Sequence, residues 1–211
     1  MTGSPATRRA EDYAKVLHTL RREDAEVRFC VRCGSHVYGT ASAGSDQDFL
    51  LVLSEPKARQ DLLWGQNLNV VVHGSESYEK ALQEQSVFAF EALFVPVEHR
   101  LKEQRPVFSH RIEPRRLFES AKSRSDADWS KAEKRFDEEP EASKKRVVHS
   151  LRVLAFANQL AQLGKITDFQ IAVPWWHQVQ TTDYRAWDVL ADAFAPIREQ
   201  LIQALDRRIR R

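Results

Sequence analysis

"CGSHVYGTASAGSDQDFLLVL", residues 33–53, sets three of the chain's seven glycines and an Asp-x-Asp pair directly before a run of bulky apolar residues. "DFLLVL" (48–53) predicts a buried strand, and "VRFCVRC" (27–33) ahead of it predicts another. Glycine where a strand ends permits a turn whose backbone N–H groups converge on an anion. Ser35 adds a hydroxyl donor, so Gly34-Ser35 reads as a phosphate cradle. Asp46 and Asp48, two residues apart on an extended segment, project from one face. Two carboxylates held together repel each other, and a divalent cation is the usual relief. Phosphate donors followed by a magnesium-binding pair describe a site for a metal-bound nucleoside triphosphate. A P-loop reading fails, and one plainer reading stands. Gly34 to Gly39 has part of the P-loop spacing but lacks the Lys-Ser or Lys-Thr that must follow, and Gly44-Ser45-Asp46 has the chemistry of an acid-capped hairpin turn.

Outward from this stretch, "MTGSPATRRA" (1–10) is small, polar and basic and reads as a flexible terminus before a helix from about Asp12 to Arg22. Beyond residue 53 come a helical segment near 56–65, a valine-rich strand "LNVVVH" (68–73) and, by its periodicity, a helix in "SESYEKALQEQ" (75–85). From Pro114 onward glycine disappears except for Gly164 and the pattern turns helical. The boundary falls at 104–114, between a core of 11–104 and a helical domain of 114–211. Its best-marked helix starts near Glu141 and stops at Gly164. Lys145, His149 and Arg152 share one face of that helix by their i, i+4, i+7 spacing. Such a face can hold a polyphosphate or a nucleic-acid backbone, or be a solvated stripe.

Gly34-Ser35, Gly39, Ser45-Asp46-Gln47-Asp48 and "FLLVL" together resemble the nucleotidyltransferase superfamily of DNA polymerase beta: Gly-Ser, a short turn and helix, then Ser-Asp-x-Asp and apolar residues. "NLNVVVHGSESYEKALQEQSVFAFEALFVP" with "KKRVVHSLRVLAFANQLAQLGKITDF" looks like the predicted nucleotidyltransferases associated with RNA ligases in RNA repair, over residues 27–170. The resemblance implies an α/β (α+β) fold, a mixed sheet flanked by helices with a helical C-terminal region. It implies that Gly34 and Ser35, with Ser45 of the motif, contact the triphosphate and that Asp46 and Asp48 hold Mg2+. The implied activity moves a nucleoside monophosphate from an NTP to a hydroxyl acceptor, an RNA end. Protein nucleotidyltransferases of the antitoxin kind share the signature and modify a tyrosine or serine of a partner. A nucleotide- or RNA-binding module that has lost catalysis is the third reading.

That third reading rests on a departure. The superfamily carries another carboxylate on the next core strand, where "NLNVVV" offers Asn67 and Asn69. An amide can ligate a metal through its carbonyl oxygen but has no charge and is no base near neutral pH. Asn69, deeper in the valine run, is the expected metal neighbour. Glu91, which interrupts "VFAFEALFVP", is the candidate substitute for the catalytic acid, or else a helix residue paired with an arginine.

The remaining features bound the answer. A chain of 211 residues can bury one core plus a smaller helical appendage, and 32 basic against 30 acidic residues leave only +2, so any basic surface is local. Two cysteines make no disulfide framework, no secretory segment is evident, and "VFAFEALFVPV" (87–97) is too short to span a bilayer, so the sequence reads as cytoplasmic and not membrane-bound. Cys30 and Cys33, three apart on a strand, face opposite sides and read as core rather than a zinc pair. Trp175 and Trp176 either stack on bases or pack a small helical domain; Tyr38 either stacks on a base or fills a strand–helix junction; the closing "DRRIRR" either touches RNA phosphates or is solvated.

Overall fold

Alternation of apolar residues builds the sheet outward from a central pair. Val27–Cys33 (β1) and Gln47–Leu53 (β2) run antiparallel, with Cys33 opposite Asp48 and Val31 opposite Leu50. The computed structural model describes residues 5–57, 61–65, 67–103 and 108–210. Asp61–Gly65 (β3) and Leu68–Gly74 (β4) form an antiparallel hairpin, and β4 lies parallel to β2 on its far side. Arg100–Lys102 (β5) closes the other edge against β1, giving a five-stranded mixed sheet in the order β3-β4-β2-β1-β5. The predicted mixed sheet is therefore present.

The segment read as helical near 56–65 is corrected. Its described part, Asp61–Gly65, is a strand; residues 58–60 lie outside the described residues. Asn67, at φ +61°, helps reverse the chain so that Gly65 pairs with Leu68. The strand identity of 61–65 comes from its partner β4, not from local periodicity.

Pro5–Leu20 (α1) begins well before the predicted start at Asp12, so most of the stretch read as a flexible terminus is helical. Proline in the first turn lacks only an N–H that has no helical partner there, and the Ala, Arg and Glu that follow are good helix formers. Val16, with Tyr13, Leu17 and Leu20, covers the sheet face that carries Cys30, Phe49, Leu51, Leu53, Leu68, Val70 and Val72. Ser35–Tyr38 (α2) is a single turn between β1 and β2. Ser75–Gln83 (α3) and Val87–Phe94 (α4) follow β4. Tyr78 of α3 meets Phe29 and Phe108 edge-on, with centroids 5.4 and 4.9 Å apart, and its hydroxyl donates to the Ala89 carbonyl of α4 at 2.8 Å. Cys30 and Cys33 are buried thiols outside any disulfide, and burial pushes the Cys30 thiol far up, as befits core cysteines.

Two compact units result: the chain up to Gln83 with Phe88–Arg111, and Glu84–Val87 with Ile112–Arg211. Glu84–Val87 joins the second unit because buried Gln85, at φ +58°, accepts the Glu113 N–H through Oε1 at 2.9 Å. The second unit is helical as predicted: Pro114–Arg135 (α5), Pro140–Leu163 (α6), Val173–Thr181 (α7) and Trp187–Ile209 (α8). Gly164 ends α6 at φ +70°. Trp175 and Trp176 pack, with Trp129 and Trp187, against a core that includes Phe136, Val148, Leu151 and Phe194. They are structural, as one reading of them held. Among the described residues no helix is long and apolar enough to cross a membrane.

Candidate functional site

Strand register gathers the predicted acids at one end of the sheet. Cys33, Asp48 and Asn69 are neighbours across β1, β2 and β4, because Cys33 pairs with Asp48 and Asp48 pairs with Asn69. Directly opposed residues share a sheet face, so the three side chains leave on one side. Asp46, just before β2, reaches the same place from the loop. Asn69 Nδ2 donates to Asp48 Oδ1 at 2.9 Å and to Asp46 Oδ2 at 3.4 Å. Asn67 does not join them: it is exposed, in the left-handed region, and its carbonyl accepts the Gln47 N–H at 2.8 Å.

Gly34 lies against Asp48. A Cβ at Gly34 would stand 2.0 Å from Asp48 Oδ2, and φ is +73°. Both facts demand glycine. The Gly34 carbonyl then accepts the Val37 and Tyr38 N–H groups at 2.9 and 3.2 Å, and α2 ends at Gly39, φ +71°. Ser35, half-buried, opens this turn beside Gly34. Ser45 closes its own loop instead: its Oγ accepts the Ser42 N–H at 2.8 Å and lies 3.2 Å from Ser42 Oγ.

Asp46 and Asp48 are the residues that could share a cation. Burial pushes the Asp48 carboxyl above its usual range; the Asn69 hydrogen bond opposes this, the Asp46 charge reinforces it, and His36 opposes it again. Two carboxylates bridged by an amide suit a divalent ion that takes its remaining ligands from phosphate oxygens and water, as Mg2+ commonly does. They are too few for a self-contained cage: among the described residues, no three His, Cys, Asp or Glu side chains gather to hold a metal.

Glu91 is placed elsewhere. It is 4% exposed on α4, accepts a hydrogen bond from the Tyr38 hydroxyl, and does not gather with Asp46 and Asp48 as a third carboxylate. The arginine partner envisaged in the plainer reading is a tyrosine. Tyr38, 5% exposed, accordingly fills the strand–helix junction and is not a free stacking platform.

In the second unit, the face of Lys145, His149 and Arg152 is not uniform. Lys145 is exposed, His149 half-buried and Arg152 8% exposed, so the picture of an open basic stripe is corrected. His149 Nδ1–H donates to Oδ2 of buried Asp128 at 2.6 Å, and Arg124 Nε–H donates to the same oxygen at 2.9 Å. Burial works against the Asp128 charge, yet the His149 and Arg124 bonds hold its carboxyl below the usual range. The nearby Lys144 pairs with Glu141 at 2.8 Å. Asp128, 21 residues from His149 on another helix, carries no local sequence signal of this role. His36 also escaped the sequence reading, although it sits inside the Gly34–Gly39 turn.

No known protein family matches the chain by sequence, and neither does any curated protein. Among solved structures the chain is similar to a nucleotidyltransferase-like protein from Exiguobacterium sibiricum 255-15. The two are 9% identical, the match covers 95% of this chain and 74% of that one, and the TM-score is 0.37. A likeness of that size says nothing about the site.

Proposed function

We propose that this chain is a nucleotidyltransferase: it binds a magnesium nucleoside triphosphate at Asp46 and Asp48 and passes the nucleoside monophosphate to a hydroxyl of an RNA end. The observation that carries the reading is the convergence of Asp46, Asp48 and Asn69 beside a glycine that both its positive φ and the closeness of Asp48 require. Asp46 and Asp48 would hold the ion; bound there, it would neutralise charge on the phosphate oxygens. Gly34 gives Asp48 room and Ser35 offers a hydroxyl to the phosphates. In the reaction the acceptor hydroxyl gives up its proton to solvent as its oxygen bonds to the α-phosphorus, the bond from that phosphorus to the oxygen shared with the β-phosphate breaks, and pyrophosphate leaves with the electron pair. Exposed Arg207, Arg208 and Arg210 at the end of α8 support an RNA acceptor.

Asn69 favours a second reading, nucleotide binding with transfer lost, because a neutral amide stands beside the pair where a carboxylate would serve as base. Calorimetric titration with each NTP, with and without magnesium, followed by incubation of labelled NTP with pooled RNA or cell protein, separates the readings. Magnesium-dependent binding with label on RNA is the expected result. Binding without transfer selects the second reading, label on protein replaces the acceptor, and no magnesium-dependent binding overturns both.

A further inference from the structure

We infer that Tyr38 and Glu91 are a positioning pair that fixes the Gly34–Gly39 turn against Asp48 and thereby sets its affinity for a magnesium nucleotide; the affinity clause rests on the function proposed above. Glu91 is the lone polar residue of α4, "VFAFEALF", and is 4% exposed. A carboxyl group so far from water needs a donor, and the Tyr38 hydroxyl supplies it. Tyr38 is the last residue of α2, whose four residues are too few to hold a helix by themselves. The turn therefore takes its orientation from its anchors. Beside buried Val37 these include, first, the approach of Gly34 to Asp48 and, second, Tyr38 on Glu91. The second anchor stands on a firm base, since Phe90 is fully buried and the Ala89 carbonyl accepts the Tyr78 hydroxyl at 2.8 Å. The path Tyr78–α4–Glu91–Tyr38–α2–Gly34 thus ends on the acid pair.

The test uses the full chain with Tyr38→Phe, Glu91→Leu and Glu91→Gln, reading hydrogen exchange of residues 34–40 and affinity for magnesium-ATP. Tyr38→Phe and Glu91→Leu should speed exchange of the turn by about tenfold or more while β2 stays protected, and weaken magnesium-ATP binding by about threefold to tenfold. Glu91→Gln keeps a carbonyl acceptor for the hydroxyl and should restore most of what Glu91→Leu loses, in both readouts. Unchanged exchange of the turn in Tyr38→Phe overturns the pair. Glu91→Gln as damaging to binding as Glu91→Leu, with exchange still slow, overturns it in favour of a carboxylate acting on metal or proton. A wild-type protein that binds no magnesium-ATP, but whose turn loosens in Tyr38→Phe, upholds the anchor and overturns the nucleotide reading.

Discussion

Asn69 is the ladder partner of Asp48, and its Nδ2 donates to Asp48 Oδ1 at 2.9 Å while reaching Asp46 Oδ2 at 3.4 Å. The amide is thus the neutral clasp of a charged pair. A carboxylate there would turn two repelling groups into three. Asn69→Asp should therefore lower the metal-free stability by about 1–2 kcal/mol and tighten magnesium binding. Thermal melts with and without magnesium read both: the ion should raise the midpoint of the variant more than that of the wild type. An equal rise in the two proteins would place the cation elsewhere.

Asp48→Asn runs the other way. The folded Asp48 pKa is raised, chiefly by burial, so its contribution to stability is fully present below the unfolded carboxylate pKa and is lost as pH rises through the folded value. At pH 7 the charge is a burden on the metal-free fold. The variant should then be more stable by about 1 kcal/mol at neutral pH, and the advantage should vanish in acid. The same change should abolish magnesium-dependent nucleotide binding. Urea unfolding at several pH values, beside calorimetry, measures both; a loss of neutral-pH stability would contradict the electrostatic account.

Gly34 and Gly164 share a left-handed backbone, φ +73° and +70°, but differ in surroundings. An added Cβ meets Asp48 Oδ2 at 2.0 Å in the first and nothing within 4 Å in the second. Gly164→Ala should cost about 1 kcal/mol, the backbone effect alone. Gly34→Ala should cost about 2–4 kcal/mol and weaken magnesium binding as well, because Asp48 must move. Equal costs would mean that Asp48 can yield freely.

On α5, Asp128 is buried with two donors, and its folded pKa is lowered despite burial. A depressed carboxylate contributes stability above its unfolded pKa and loses it as pH falls through the folded value. Asp128→Asn should destabilise the protein by about 3 kcal/mol at pH 7, with the two proteins converging in strong acid. A constant difference across the range would remove the charge from the explanation. Arg152→Ala should also lose stability, by about 1–3 kcal/mol, because the side chain is 8% exposed and its stem is packed.

Much of the first unit is legible in the residues because its signals are local. Apolar runs mark β1, β2 and β4, the Gly34 turn needs a positive φ, and Asp46 and Asp48 fall together through simple strand alternation; α6 likewise carries its period and its glycine stop. Depth in the valine run favoured Asn69 over Asn67, and the β2–β4 register brings Asn69, not Asn67, to the acids. What tertiary structure alone decided is the choice of partners. The segment 61–65 is a strand because β4 offers it a free edge, which no helix-or-strand pattern within five residues contains. Glu91 meets Tyr38 from 53 residues away, and His149 meets Asp128 from 21, so a lone carboxyl or imidazole in an apolar helix announces a need for a partner without naming it. Propensity and periodicity act over one or two turns of chain, whereas burial and hydrogen-bond pairing depend on which surfaces meet when the elements pack.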